Sequence, residues 1–366
     1  MYSFGCTTAI AVMAQRRHLA FSFPRPYRHV ASNSKVRPWS ATAATELDLN
    51  IDHPTTNSRN NRDTAFHPLG PPSFLVDLPV GREPFHLSSL DRNITRLSSS
   101  PDIFLVNDFT SIDEGEILMQ SAALRGMKIA GTRQSGVNTI RKNSQLIWID
   151  PYSFDDGDGD NYHREASSIA REAIAKSRLC FSHEVMTDLM ENAEGIDYAF
   201  AEDMQVAKYD AQGRFDYHHD GYGRYLTVIA YLNGVGGTYF PFGCMTSSEL
   251  DGIDFANENE VSVMAFKKRA GKCGLLIVGK EGADSYLNST AVNPRMIVEI
   301  QAGDAIAFYN YSPDCEKDLR SLHCSLTVPE EKWISTCWFR SEALTGPFSS
   351  LKRARLLEEW VSKVFA

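Results

Sequence analysis

The chain lacks three features that would each point to a particular class of protein. Its seven cysteines form no Cys-x-x-Cys pair and no regular spacing, so neither a disulfide framework nor a thiolate zinc site is expected. No apolar run reaches the roughly 18 residues that span a bilayer, so no transmembrane segment is predicted. Excess positive charge is also missing. The formal net charge of -9 argues against a general nucleic-acid or membrane-surface binder.

Acidic side chains are absent from residues 1–45, which carry six basic residues among many serines and alanines. This composition is typical of an organelle transit peptide, and a plain disordered tail is the alternative. Residues 46–97 are polar and rich in proline, with little periodicity, which favours a linker that is disordered or lies along the surface. We therefore assign residues 1–97 to a targeting peptide and linker.

The rest of the chain has the apolar content needed for a sizeable core. Amphipathic patterns predict helices at Glu114–Arg125 and Ala166–Leu179, and a last one within residues 343–366. After residue 201 the pattern changes to short strands and tight turns, which predicts an α+β protein built on a β-sandwich or jelly roll. The strand candidates in this part are Gln205–Tyr209, Arg224–Asn233, Val261–Phe266, Cys273–Val278, Met296–Gln301, Asp304–Tyr309 and Trp333–Phe339.

His218 and Asp220 are two positions apart in a predicted extended segment. Residues i and i+2 of a strand project from the same face, so an imidazole and a carboxylate point into one space. His323 is a candidate third ligand from a distant strand. Two histidines and one carboxylate on one face of a metal are the ligands of non-haem Fe(II) sites that handle O2. A His-x-Asp pair alone is more often a structural hydrogen-bonded pair, so the surrounding residues decide.

Those surroundings resemble the prolyl 4-hydroxylases, which are Fe(II)- and 2-oxoglutarate-dependent dioxygenases. The similarity covers roughly residues 101–340 and keeps the order of the family's motifs. Several motifs in that order make it specific for the superfamily and less specific for the substrate. The matching segments are Tyr209–Asp220, Arg224–Asn233, Gly236–Pro241, Gly303–Phe308, Ser321–His323 and Glu331–Trp338.

The resemblance implies a double-stranded β-helix, a jelly-roll core with a metal in its mouth and supporting N-terminal helices. It places the dioxygenase domain at residues 98–342, with the jelly-roll core at about 201–342. It implies Fe(II) on His218, Asp220 and His323. His219 should face away from the metal, while Arg224 either holds substrate or forms a surface ion pair.

The resemblance also implies a place for each co-substrate. The distal carboxylate of 2-oxoglutarate is expected on Lys332, with help from Tyr209, Tyr231 or Thr238, because an ammonium and hydroxyls both donate to carboxylates. O2 takes the last metal position, and L-ascorbate in the family rescues iron oxidised in uncoupled turnover. These residues support decarboxylation of 2-oxoglutarate to succinate and CO2, coupled to hydroxylation of a substrate C–H bond.

Three departures from the family's pattern concern the pocket and the substrate. Thr238 follows Gly237 directly, whereas the family has Gly-Gly-x-Thr, so Thr238 comes one residue earlier than the family's threonine. The interval from His323 to Lys332 is one residue shorter than in collagen-type relatives, although other prolyl hydroxylases use this spacing. Residues 243–300 form a longer segment than expected, which we interpret as an insertion beside the mouth, where substrate choice is often set.

Our main hypothesis is a prolyl 4-hydroxylase-type dioxygenase acting on a peptide or protein. One alternative is the same chemistry on a free amino acid or small metabolite. The other, of a different class, is a non-catalytic jelly-roll module that binds a metal or ligand. The N-terminal composition predicts a plastid or a mitochondrion, with the endoplasmic reticulum or the cytoplasm as alternatives. The sequence does not predict an oligomeric state.

Overall fold

The computed structural model of the chain describes most of the region between residues 70 and 340. The described ranges are 70–81, 84–87, 91–130, 141–151, 161–181, 200–221, 223–255, 273–279, 292–312 and 316–340, with single residues at 257, 261, 282, 284, 286 and 287. All lie in one compact unit, residues 64–366. The predicted transit peptide, the C-terminal helix and all but the first residue of the strand candidate at 261–266 lie outside the described residues.

The folded part begins before the boundary that the sequence analysis set at residue 97. A short helix, α1 (Ser73–Val76), is followed by strands β1 (Phe85–Leu87), β2 (Arg92–Ser99) and β3 (Asp102–Val106). The second of these strands pairs antiparallel with the first and the third. The linker prediction is therefore wrong for this part. The strand contains mostly arginine, asparagine, threonine and serine, so its composition resembles a linker, yet Ile94 and the run Arg96–Ser98 are buried.

Two longer helices support the sheet, as predicted. Helix α2 (Ile112–Leu124) begins after Ser111, whose hydroxyl accepts from the Glu114 backbone while the Glu114 carboxylate accepts from the Ser111 backbone. Strands β4 (Lys128–Ile129) and β5 (Arg141–Ile149) follow, and then helix α3 (Asn161–Phe181). None of the helices in the described part of the chain is both long and apolar enough to cross a membrane.

The second half of the chain supplies the strands of the predicted jelly roll. These are β6 (Phe200–Ala201), β7 (Met204–His218), β8 (Arg224–Tyr231), β9 (Thr238–Phe240), β10 (Leu275–Val278), β11 (Met296–Glu299), β12 (Ala305–Tyr309), β13 (His323–Ser325) and β14 (Lys332–Arg340). A short helix, α4 (Ser247–Leu250), follows β9, and a 3-10 turn at Leu319–Ser321 precedes β13.

Strand β7 belongs to both layers of the jelly roll, each of which has four antiparallel strands when β7 is counted in it. Its first half pairs with β14, in the order β12-β8-β14-β7, and its last residues pair with β13, in the order β7-β13-β9-β10. Side chains from both layers, including Tyr231 and Tyr239, share one buried cluster. This arrangement of two layers around a core confirms the predicted double-stranded β-helix.

Strand β8, predicted as part of Arg224–Asn233, lies between two apolar clusters. Ile229 belongs to the cluster between the two strand layers, while Val228 and Ala230 belong to the cluster that contains α2 and α3. Seven of the eight residues of β8 are buried. The helices therefore cover one face of the β12-β8-β14-β7 layer, and the other face forms the wall of the jelly-roll interior.

The predicted insertion at 243–300 contains a strand of the core. Leu275–Val278 is fully buried and pairs antiparallel with β9, so β10 completes the second layer. Strand β11 then adds to β10 in parallel at the edge of the sheet. The excursion between β9 and β10 is thus shorter than predicted. Four consecutive apolar residues are the pattern of a strand buried on both faces.

Candidate active site

His218, Asp220 and His323 meet where β7 and β13 run side by side. His218 is the last residue of β7 and lies opposite His323, the first residue of β13. Asp220 follows β7 by two positions, and Gly221, with a φ of 49°, turns the chain directly after it. One ligand atom from each side chain lies within 4.8 Å of the others. The structure therefore brings the three predicted ligands together.

Both imidazole rings are oriented by backbone carbonyl groups. Nδ1 of His218 lies 2.9 Å from the backbone oxygen of Asp216, and Nδ1 of His323 lies 3.0 Å from that of Ser321. Because a carbonyl only accepts, each Nδ1 carries the proton, and Nε2 of the neutral ring keeps its lone pair. Burial is the main cause that lowers the pKa of both rings, which keeps them neutral. Rings in this state suit a divalent metal.

Asp220 has one carboxylate oxygen near an imidazole and the other in hydrogen bonds. Oδ1 lies 3.7 Å from Nε2 of His218. Oδ2 accepts from the Thr227 hydroxyl at 2.7 Å and from the Trp338 indole N–H at 3.1 Å. Burial alone would raise the pKa of Asp220, but neighbouring positive charge, including that of Arg224, and the Thr227 hydrogen bond hold it below its usual range. An ionised carboxylate beside two neutral imidazoles fits the two-histidine, one-carboxylate arrangement.

Lys332 and several hydroxyl groups lie in the same cavity as the predicted ligands. Lys332 begins β14, is fully buried and stands opposite Tyr209 of β7. Its ammonium donates to Ser325 Oγ at 3.2 Å and to Thr238 Oγ1 at 3.4 Å. The Tyr231 hydroxyl in turn donates to Thr238 at 2.8 Å. A buried cation among hydroxyls is a suitable receptor for a carboxylate, which accepts charge-assisted hydrogen bonds.

Thr238 reaches this group although one residue of the Gly-Gly-x-Thr pattern is missing. It begins β9 and pairs with Ser325 of β13, which brings it next to the Lys332 ammonium. The preceding Gly237 has a φ of 90°, and a Cβ there would lie 2.6 Å from the Tyr286 ring. Only glycine fits this turn. The register of β9 therefore places the Thr238 hydroxyl beside the Lys332 ammonium.

Sequence reasoning missed several residues of the site, including Ser325, Thr227 and Arg141. Ser325 contacts Lys332, Thr227 contacts Asp220, and Arg141 lines the cavity, with Nη2 3.3 Å from the Tyr209 hydroxyl. A signal existed for Ser325, which is two positions after a predicted ligand on one strand and therefore shares its face. Arg141 carried no such signal, because it reaches the cavity through the pairing of β5 with β7.

His219 and Arg224 each make defined contacts outside the group of three predicted ligands. Nδ1 of His219 accepts from the Gly221 backbone N–H at 3.0 Å, and Nε2 lies 3.0 Å from the Asn310 backbone oxygen. The ring is therefore engaged away from the other two histidines, as predicted. Arg224 forms two hydrogen bonds with Glu202, at 2.8 and 2.7 Å, so it takes part in an ion pair.

The chain is similar to curated prolyl 4-hydroxylases, although no family model matches it. It is 32% identical over 156 residues to probable prolyl 4-hydroxylase 4 of Arabidopsis thaliana, which covers 39% of this chain and 42% of the relative. It is 29% identical over 175 residues to probable prolyl 4-hydroxylase 7 of the same plant, covering 44% of each. The chain thus spans less than half the length of these relatives. The resemblance found in the sequence is confirmed.

Solved prolyl hydroxylase structures are also similar to this chain. A viral collagen prolyl hydroxylase from Paramecium Bursaria Chlorella virus-1, in a 2OG complex, matches with a TM-score of 0.34 and 19% identity, over 67% of this chain and 99% of that one. A prolyl hydroxylase from Trichoplax adhaerens, in complex with a hypoxia inducible factor peptide fragment, matches with a TM-score of 0.37 and 14% identity, over 65% and 83%.

Proposed function

We propose that this chain is an Fe(II)- and 2-oxoglutarate-dependent dioxygenase of the prolyl 4-hydroxylase type, acting on a peptide or protein. The observation that carries the proposal is the convergence of His218, Asp220 and His323 in one cavity with the buried Lys332. The curated relatives support this reading of the cavity, since both are named as prolyl 4-hydroxylases.

The donor set fits Fe(II) in both type and protonation. His218, Asp220 and His323 would hold the metal, because two unprotonated Nε2 atoms and an ionised carboxylate oxygen face one another. Three protein ligands leave positions for a co-substrate. When bound together, Fe(II), 2-oxoglutarate and O2 supply the oxidising chemistry, in which 2-oxoglutarate becomes succinate and CO2 and a substrate C–H bond becomes C–OH.

The protein's own residues bind and orient the co-substrate. Lys332 would receive the distal carboxylate of 2-oxoglutarate, since its ammonium is a charged donor that is buried away from water. Thr238 and Ser325 already contact that ammonium and would hold it in place, while Tyr231 fixes the Thr238 hydroxyl. Tyr209 would add its hydroxyl from the opposite strand. These contacts set the distance between the distal carboxylate and the metal ligands.

We also propose that L-ascorbate sustains turnover by reducing iron that has been oxidised without substrate hydroxylation. The support is the resemblance to the prolyl 4-hydroxylases. The test compares 2-oxoglutarate turnover over time with and without ascorbate. Ascorbate should extend the linear phase without changing the initial rate, and an unchanged progress curve would contradict the proposal.

The substrate is tested with a panel of proline-containing peptides and matched peptides that lack proline. Incubation with Fe(II), 2-oxoglutarate and ascorbate should add one oxygen atom, detected by mass spectrometry, to the proline peptides alone. The His218→Ala variant is the control and should add none. Succinate production with no peptide modified, but with a free amino acid hydroxylated, would favour a small-metabolite enzyme. The absence of succinate under all conditions would favour a non-catalytic module.

We propose that residues 1–45 direct the protein to a plastid or a mitochondrion. The support is their composition, which is basic, rich in serine and free of acidic residues. Fusion of these residues to a fluorescent protein should give an organelle pattern. A diffuse or reticular pattern would contradict the proposal and favour the cytoplasm or the endoplasmic reticulum.

A further inference from the structure

Two of the predicted metal ligands, Asp220 and His323, are joined by a chain of buried polar side chains. Thr227 of β8, Asn310 directly after β12 and Ser321 at the end of the 3-10 turn are each fully buried. We call these three residues the ligand-linking network. Its first member contacts Asp220, and its last member contacts His323.

Each contact of the network has a definite direction, which follows from the Asn310 amide nitrogen, a group that only donates. That nitrogen donates to Thr227 Oγ1 at 2.9 Å. Thr227 in turn donates its single hydroxyl proton to Oδ2 of Asp220, at 2.7 Å. The Asn310 side-chain oxygen consequently faces Ser321. The Ser321 hydroxyl has two acceptors within reach, Asn310 Oδ1 at 3.1 Å and the Asp318 carbonyl oxygen at 2.8 Å.

The other end of the network orients the second ligand through the backbone. The Ser321 carbonyl oxygen accepts from Nδ1 of His323 at 3.0 Å, which fixes the ring so that Nε2 faces the other ligands. The Asn310 backbone adds two further contacts, since its N–H donates to the Tyr225 carbonyl at 2.8 Å and its oxygen lies 3.0 Å from Nε2 of His219. Asn310 is therefore held by both its backbone and its side chain.

We propose that Asn310 is a positioning residue that sets the orientation of Asp220 relative to His323. The amide nitrogen of Asn310 donates to Thr227, which in turn donates to Asp220. The amide oxygen of Asn310 accepts from Ser321, whose carbonyl orients His323. One side chain therefore couples the two ligands. Asp220 is consequently presented through Oδ1, because Oδ2 is occupied by the hydroxyl that Asn310 directs and by the Trp338 indole. This inference rests on the proposed function, because it assigns Asn310 a role toward the metal.

The test uses the full chain and Co(II) alone as the probe, titrated while its visible absorption is recorded. Asn310→Asp removes the amide donor. Thr227→Val removes the hydroxyl but keeps the shape, and Thr227→Ser keeps the hydroxyl. Tyr309→Phe is the matched control, because it removes a buried hydrogen bond to the Phe181 carbonyl, at 2.7 Å, beside Asn310 but outside the network. Thermal unfolding of each variant reports stability separately.

The expected result is that N310D and T227V weaken Co(II) binding by about 10- to 100-fold and shift the absorption bands. T227S and Y309F should keep the wild-type affinity and spectrum. If N310D does not fold, T227V against T227S decides by the same criteria. The proposal is overturned if T227V or N310D only lowers the thermal midpoint while affinity and spectrum stay those of the wild type. A wild-type chain that binds no Co(II) would overturn the proposed function, and this inference with it.

Discussion

Lys332 and Tyr209 stand directly opposite each other in the antiparallel pair β14–β7, with the ammonium 5.6 Å from the centre of the phenol ring. Cross-strand partners have fixed neighbours, so this register decides which groups surround the buried cation. It places Lys332 at the level of the cavity, within reach of Thr238 and Ser325. The first two predictions concern this part of the site.

Replacing Lys332 by methionine should raise the KM for 2-oxoglutarate by about 10- to 100-fold. The substitution keeps the length of the side chain but removes the charged donor, and hydrogen bonds to charged groups contribute about 1.5–3 kcal/mol. The KM is measured by succinate production. Lys208→Met is the matched control, because Lys208 precedes Tyr209 but pairs with Glu331, at 2.6 Å, outside the cavity lining. An equal KM in wild type and K332M would contradict the assignment.

Tyr231→Phe and Thr238→Val should each raise the KM for 2-oxoglutarate by about 3- to 10-fold. Each removes one hydroxyl of a neutral hydrogen bond, of the kind that contributes about 0.5–1.5 kcal/mol. Because the two hydroxyls bond to each other at 2.8 Å, the double variant should raise the KM by less than the product of the two single increases. Fully multiplicative effects on KM would show that the two residues act independently.

Adjacent histidines should differ sharply in their effect on metal binding. His218→Ala should abolish Co(II) binding, because it removes a ring whose Nε2 faces the other ligands. His219→Ala should weaken Co(II) binding by less than about 10-fold, which is the smallest loss expected for a side chain that orients a ligand. The ring of His219 is engaged with the backbone of Gly221 and Asn310 instead. A similar loss of Co(II) binding in both variants would contradict the assignment of His218, and not His219, as a metal ligand.

Glu202→Gln should lower the free energy of unfolding by about 1–3 kcal/mol, because it leaves the charge of Arg224 in a largely buried site without its carboxylate. Chemical denaturation measures the difference. Glu249→Gln is a matched control, since Glu249 also pairs with an arginine, Arg295, but each side chain is about one-third exposed. Its effect should be smaller. A larger loss in E249Q than in E202Q would contradict the importance of burial.

The sequence predicted the elements whose own residues carry a clear pattern. Strand β8 was predictable because apolar residues occupy both of its faces, and α2 because Ser111 and Glu114 mark its start. Strand β2 was not, because its buried positions include Arg96 and Ser98, and only its pairing with β3 explains their burial. β10 was named as a strand, but its place inside the core depends on its pairing with β9.

The same distinction applies to the residues of the site, since only those with a local pattern or a matching motif were predictable from the sequence. His218 and Asp220 were predictable from a spacing of two on a strand, and His323 and Lys332 from the order of motifs. The contact of Asn310 with Thr227 was not, because it depends on the register between β12 and β8, which local sequence does not show. Arg141 reaches the cavity for a similar reason, through the pairing of β5 with β7.

The central claim is that His218, Asp220 and His323 hold one metal ion. The most direct measurement is anaerobic equilibrium dialysis of Fe(II) against the wild type and the three single alanine variants. We predict one equivalent of Fe(II) bound by the wild type, and no binding at the same free Fe(II) concentration in H218A, D220A or H323A. One equivalent retained by all three folded variants would contradict the claim.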